Sequence, residues 1–391
     1  MRQTYIAGVG MTPFGKFPDE RLGTLGAAAA LRALADAGIS PKDVEVLSCG
    51  SARSGVLQGR ESGVGQLIGW EVGIEGVPVF NEKAYCASGT VAFNVAFTAV
   101  LSGQFDVALA VGVEQMSRRN GKGAPLTSDG MELEGDIGFS PAVYYALAAQ
   151  RHMAEYGTTR EQIASVAVKN RAFAAHNPVA QYRAPITVAD VLASKPVVGP
   201  LNLLDCCPTG DGAAAAVIVS DAGARRLGIT PTVRVRASVV GSGVYSTQAA
   251  ASLSSFELDV RTARRAYEMA SLGPQDVDVA EVHDSFSIAE IIHYEDLGFC
   301  ERGQGGKFVE SGQSSLGGRL PVSTSGGLLT RGHPLGATGL AQLVELADQL
   351  RGRCGPRQVE GASIALAQIS GGFHLGSFAS SGVTILEGSG R

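Results

Sequence analysis

A cysteine set directly ahead of an apolar helix is the strongest chemical signal in this chain. Cys86 precedes SGTVAFNVAFTAVLSG, so it stands where unpaired helix amides and the helix dipole stabilise a thiolate, the nucleophilic form of the side chain. The competing reading is a small buried hydrophobe, which is what most unpaired cysteines are. His333 lies in GGLLTRGHPLGATG, where Pro334 suits the first helical position and the glycines let backbone pass close to another group. A histidine pinned there is either a poised base or a solvated turn residue. His283, in VAEVHDSF, follows an apolar run and precedes the helical IAEII; Asp284 beside it could satisfy its ring. His152, His176, His293 and His374 have the contexts of structural residues, His374 least clearly because it follows Gly371-Gly372.

Charge and cysteine usage narrow the setting for this chemistry. Lys+Arg 32 against Asp+Glu 37 gives a net charge of −5 with no basic run, so neither nucleic acid nor an anionic membrane surface is an expected partner. The six cysteines (Cys49, Cys86, Cys206, Cys207, Cys300, Cys354) show no CxxC spacing, so no metal site is expected and a reduced, intracellular protein fits. The start MRQTYIAGVG is no signal peptide, no membrane-length apolar run occurs, and the ending GSGR is no peroxisomal address, which leaves the cytoplasm as the expected location.

The elements that must position these residues are legible in part. At 391 residues, 45% hydrophobic and 18% charged, the chain can form about two domain-sized units with real cores. Its 52 glycines punctuate apolar runs, and Val44–Leu47, Val107–Val113, Ala214–Val219, Val277–Val282 and Ile364–Ile369 read as buried strands of an α/β protein. Ala33–Val46 (ALADAGISPKDVEV) is echoed by Ala266–Val279 (AYEMASLGPQDVDV), and the Cys86 segment before the strand at Val107 is echoed by the Gly332 segment before the strand at Ile364. Two matches in the same order imply two related halves. The expected organisation is 1–116 plus 201–225 as one half, 226–391 as the other, and 117–200 as an insertion covering a site, with one helix near Arg160–Ala175.

CASG after NEKAY, then GVEQMS, CCPTGDGAAAAV, HDSF, GGLLTRGHPLGATG and ALAQISGG come in an order that resembles the thiolase superfamily, from VGMTPFGKF to the end of the chain. Within it the sequence is most similar to the sterol-carrier-protein-2-type thiolases and the archaeal-like acetyl-CoA acetyltransferases. The resemblance implies a duplicated five-layer α/β/α/β/α fold with an inserted loop domain, coenzyme A as a substrate, and a homodimer or homotetramer. Members of this branch often work with a small zinc-ribbon/OB-fold protein, so such a partner is a further expectation. Carried over motif by motif, Cys86 is the acyl-accepting nucleophile and His333 its base. His283 holds a water that with His333 stabilises an oxyanion, and the amides of Cys86 and Gly372 line a second oxyanion hole.

One departure matters. Thiolases carry a second cysteine for proton transfer at the substrate α-carbon, and here Ser285 and Ser370 occupy the two positions where it occurs. A hydroxyl is a poorer acid or base than a thiol of pKa about 8.5, so acetoacetyl-CoA chemistry should be slow unless His283, His374, a water, a loop tyrosine or the substrate's own carboxylate moves the proton. The leading expectation is thiolytic cleavage of a β-ketoacyl-CoA, or the reverse Claisen condensation, on a specialised substrate. The alternatives are a decarboxylating ketoacyl synthase-like enzyme, a thiolase-like retro-aldolase, and a non-catalytic acyl-CoA-binding subunit.

Overall fold

Runs that are apolar at every position, not at alternate ones, need cover on both faces. In the computed structural model, which describes residues 2–117, 139–244, 252–374 and 377–388, the chain forms β1 (Thr4–Met11), β2 (Val46–Gly50), β3 (Val79–Glu82), β4 (Val107–Gln115), β5 (Pro196–Val198), β6 (Leu201–Asn202), β7 (Asp211–Ser220), β8 (Val233–Ser242), β9 (Val279–Glu281), β10 (Ile364–His374) and β11 (Ser377–Gly388). Every residue of β4 and of β7 is buried. Nine strands join in the order β3-β2-β4-β7-β1-β8-β11-β10-β9, while β5 and β6 pair apart.

The order has an internal symmetry. Outward from β1 the pairings run antiparallel to β7, antiparallel to β4, then parallel to β2 and β3. Outward from β8 they run antiparallel to β11, antiparallel to β10, then parallel to β9, with a parallel bridge from Ala280 to Val322 where β3 has its counterpart. Among the described residues the halves touch through sheet pairing only at Tyr5–Arg234 and Ile6–Val233. Between them lie the helices Ser88–Leu101 and Thr338–Leu350, which bury Phe93, Phe97, Leu340 and Leu343 against apolar residues of both halves. The helices Leu22–Ala37 and Val64–Val72 cover the first half outside, and Glu257–Ala270 and Ser287–Asp296 cover the second. This is the duplicated five-layer α/β/α/β/α arrangement.

The repeat read from sequence holds in detail. The helices Leu22–Ala37 and Glu257–Ala270 end on left-handed residues, Gly38 and Ser271. Each is followed by a proline-led 3₁₀ turn, Pro41–Asp43 and Pro274–Asp276, and then by a strand. These turns explain why β2 and β9 start two residues later than expected. Asp43 and Asp276 tie back to the amides of Ser40 and Gly273, and Val44 and Val277 are spent in capping the turns. After β4 the chain leaves the sheet and returns at β7. In between, Arg160–Ala174 is a helix whose start is fixed by reciprocal Thr159 and Gln162 hydrogen bonds, and with Pro141–Tyr156 it packs against Ser287–Asp296. Residues 118–138 of the expected insertion lie outside the described residues. Among the described residues no helix is long and apolar enough to cross a membrane.

Candidate active site

Cys86 sits in a tight turn between β3 and the buried helix Ser88–Leu101. Ser88 shapes the turn: its hydroxyl donates to the Tyr85 carbonyl at 2.6 Å and accepts from the Ala84 amide at 2.9 Å. Tyr85 takes φ 53°, a left-handed conformation that costs a non-glycine residue on the order of 1–3 kcal/mol and fixes the direction of the next side chain. Gly371 and Gly372 of β10 form the floor beneath this turn. A Cβ on Gly371 would lie 2.8 Å from the Ala84 oxygen, and one on Gly372 would strike the Tyr85 ring at 2.5 Å.

His333 arrives on the equivalent loop of the other half, just ahead of Thr338–Leu350. Its tautomer follows from its neighbour. The Thr338 hydroxyl gives its one proton to the Pro334 carbonyl at 2.9 Å, so it must accept from His333 Nδ1–H at 2.8 Å. Nε2 is then the unprotonated nitrogen, buried and without a partner among the described residues. His283 follows β9, its ring centroid 5.4 Å from that of His333. Asp284 does not satisfy its ring. That carboxylate instead accepts from the amides of Leu328 and Leu329 at the start of the His333 loop and from Asn170, and His283 Nδ1 is left without a partner.

The two loops meet backbone on backbone. A Cβ on Gly89 would lie 2.5 Å from the Gly336 oxygen, and one on Gly112 would collide with the same atom. Glu114, at the end of β4, holds the junction by accepting from the amides of Ala52, Arg53 and Gly336 at 2.8, 3.2 and 3.1 Å. The result is that ligand atoms of Cys86, His283 and His333 lie within 4.8 Å of one another. A thiol and two imidazoles are also zinc-binding types, so the same set could hold a metal ion.

Burial dominates the electrostatics. It pushes the Cys86 thiol up to about 12, with Glu114 adding to the rise and the Cys86 amide, Arg53 and the Gly372 amide opposing it. The thiolate expected from the helix start is therefore outweighed by desolvation. Burial also lowers His283 to about 3 and His333 well below its usual range. The resting pair is a neutral thiol facing a neutral imidazole whose free nitrogen can accept its proton.

Cys86, His283 and His333 open on one cavity of about 850 Å³, walled on one side by Tyr145, Phe286, Phe373 and Phe378. The two serines at the second-cysteine positions both line it, in different states. Ser370 donates to Asp259 at 2.8 Å and accepts from Gln368 at 2.8 Å, so its proton points away from the cavity. The Ser285 hydroxyl has no geometric hydrogen-bond partner among the described residues. His374 lies at the end of β10 and its side chain is outside the described part of the structure. His152 and His293 are fully buried and do not line the cavity, as expected of structural residues. Sequence reasoning missed Glu114, although GVEQMS was singled out, and Tyr145, which reads as one more apolar position of its helix.

Two family descriptions match. "Thiolase, N-terminal domain" covers residues 4–222, and "Thiolase C-terminal domain-like" covers residues 242–387. The chain is 42% identical over 373 residues to the acetyl-CoA acetyltransferase of Methanothermobacter thermautotrophicus, across 95% of this chain and 97% of that protein. It is 37% identical over 374 residues to the benzoylsuccinyl-CoA thiolase subunit BbsB of Thauera aromatica, across 95% of each. A solved structure described as "Ltp2-ChsH2(DUF35) aldolase" superposes with a TM-score of 0.82 at 29% identity, over 99% of this chain and 98% of that one.

Proposed function

The chain belongs to the thiolase family, and on that premise we propose that it cleaves a β-ketoacyl-CoA with CoA, or runs the reverse Claisen condensation, through an acyl-cysteine on Cys86. In the cleaving direction His333 Nε2 takes the thiol proton as the Cys86 sulfur attacks the keto carbon. The bond between that carbon and the α-carbon then breaks, and its electrons pass into the enolate of the departing ester. The proton taken from the thiol ends on the α-carbon of that ester. CoA next attacks the acyl-cysteine, and its own thiol proton returns to the Cys86 sulfur through His333. The amides of Cys86 and Gly372 receive one carbonyl oxygen as it becomes an oxyanion, and a water held by His283, together with His333, receives the other.

The observation that carries this reading is the free, unprotonated Nε2 of His333 in the same cavity as the Cys86 thiol. Serines at positions 285 and 370 point to a specialised substrate, with acetoacetyl-CoA a poor one. The test is intact-protein mass after mixing with a panel of β-ketoacyl-CoA esters. An acyl adduct that maps to Cys86 supports the proposal, and its absence with every ester ends it.

A second reading, retro-aldol cleavage, is favoured by the likeness to a structure described as an aldolase. Aldol cleavage needs no acyl-cysteine, so turnover that survives Cys86→Ala would select it. That structure also pairs its thiolase-like chain with a second protein, which supports a small zinc-ribbon/OB-fold partner here; co-purification from the source cell tests it. Homodimer or homotetramer assembly, a cytoplasmic location and the division into 1–116 with 201–225, 117–200 and 226–391 belong to the same proposal.

A further inference from the structure

The reacting part of a β-ketoacyl thioester has two oxygens, and the proposed chemistry gives each its donors: the amides of Cys86 and Gly372 for one, the His283 side for the other. The cavity holds a third set. Tyr145 is 1% exposed and Ser285 is 5% exposed, both line the cavity with Cys86, and neither hydroxyl has a hydrogen-bond partner among the described residues. The two groups stand beside each other. Even if one donates to the other, one O–H remains unused, because two hydroxyls paired together satisfy only one of their two protons.

The geometry of this pair is fixed. The Tyr145 ring stacks on Phe286 at 4.7 Å and meets Tyr144 and Phe256 edge-on at 5.6 and 6.1 Å, so the phenol cannot swing to another partner. Phe286 is the residue after Ser285, which makes ring and hydroxyl parts of one rigid wall. A buried hydroxyl left unpaired costs about 1–3 kcal/mol, so a ligand oxygen placed here would remove a standing penalty as well as form a bond. The ionisable groups acting most strongly on Tyr145, namely Tyr144, Cys86 and Asp259, are all acids. No cation is among them to offset the burial of a carboxylate, whereas a neutral oxygen needs no such partner.

We propose that the acyl group of the substrate carries a further neutral oxygen, a carbonyl or hydroxyl beyond its two reacting carbonyls, seated on Tyr145 and Ser285 in an otherwise aromatic wall. Tyr145 is then the specificity-determining residue. The inference rests on the β-ketoacyl-CoA reading but is tested without turnover, by calorimetric binding to the Cys86→Ala protein. The probes are straight-chain β-ketooctanoyl-CoA and the same ester with one methylene beyond the β-carbon replaced by a carbonyl, at each position in turn. One carbonyl position should bind at least about tenfold more tightly than the plain ester. Added to Cys86→Ala, Tyr145→Phe should abolish that preference while leaving the plain ester within about twofold. Ser285→Ala, which changes no ring packing, should act in the same direction. No preference at any position, or equal weakening of plain and oxygenated esters by both variants, overturns the proposal. Failure of wild-type Cys86 to gain an acyl group bears on the thiolase reading alone, since the binding comparison stands without it.

Discussion

Replacing Gly89 by alanine should separate the proposed nucleophile Cys86 from its proposed base His333 without touching either. The new Cβ would lie 2.5 Å from the Gly336 carbonyl oxygen, backbone that belongs to the His333 loop. An ordinary carbon–oxygen approach is about 3.3 Å or more, so the two loops must part by about 0.8 Å. Neither loop can yield alone. Gly336 is also tied by its amide to Glu114 at 3.1 Å, and Gly89 lies in the first turn of a helix packed through the middle layer. A displacement near 1 Å in a positioned pair costs on the order of 10²-fold in rate, whereas overpacking of this size costs about 1–3 kcal/mol of stability. The assay is acyl-enzyme formation at Cys86 by rapid-quench mass spectrometry, with a thermal melt to confirm that the variant is folded. A folded Gly89→Ala protein that acylates within about threefold of wild type would show that the close approach does not set the thiol–imidazole geometry.

Three further perturbations test separate parts of the site. Thr338→Val leaves His333 Nδ1–H without its acceptor and frees the tautomer, so kcat should fall at least about tenfold with KM nearly unchanged, and Thr338→Ser should recover it. Because burial holds His333 well below 6.5, the imidazole stays neutral as pH falls; kcat/KM for acylation should stay level from pH 7 to about 5.5, where an ordinary histidine base would lose about tenfold, and an acid limb centred near 6.5 would count against the assignment. Ser370→Ala removes a donor from the buried Asp259 and should lower stability by about 1–2 kcal/mol in denaturant titration while turnover stays within about threefold; a loss of turnover larger than the loss of stability explains would return Ser370 to the chemistry.

The residues that line the cavity were legible where they sit on loops that punctuate buried helices. Cys86 and His333 each precede an apolar helix, and the glycines around them mark where backbone must come close, which the Gly89–Gly336 approach bears out. The repeat was legible because its turns are made by local residues, Pro41 with Asp43 and Pro274 with Asp276. Strand β8 escaped because its start, VRVR, alternates, and β11 because it opens on small polar residues; neither is a continuous apolar run. Long-range polar pairing was invisible for another reason. Ser370 is bound to Asp259 across 111 residues and Asn170 to Asp284 across 114, and nothing in either local sequence announces its partner. Tyr145 was hidden by its setting in YYALAA, where only the lack of a partner for its hydroxyl, a property of the folded cavity, marks it out.

The split of the site between the two halves also sets a schedule for its birth. The hydrogen bond from the Gly336 amide to the Glu114 carboxylate closes the junction across 222 residues of chain. At a synthesis rate of about 5–20 residues per second, the loop that carries Cys86 leaves the ribosome about twelve to fifty seconds before the loop that will face it. For that interval the helix Ser88–Leu101 lacks the partner helix that covers it, and the thiol lacks the desolvated pocket that keeps it neutral. The nascent chain is therefore most open to aggregation and to oxidation at Cys86 before the second half arrives. A chain stalled near residue 230 should recruit chaperones and, when treated with hydrogen peroxide, gain sulfenic acid at Cys86, and the same thiol should become protected once the chain is released complete.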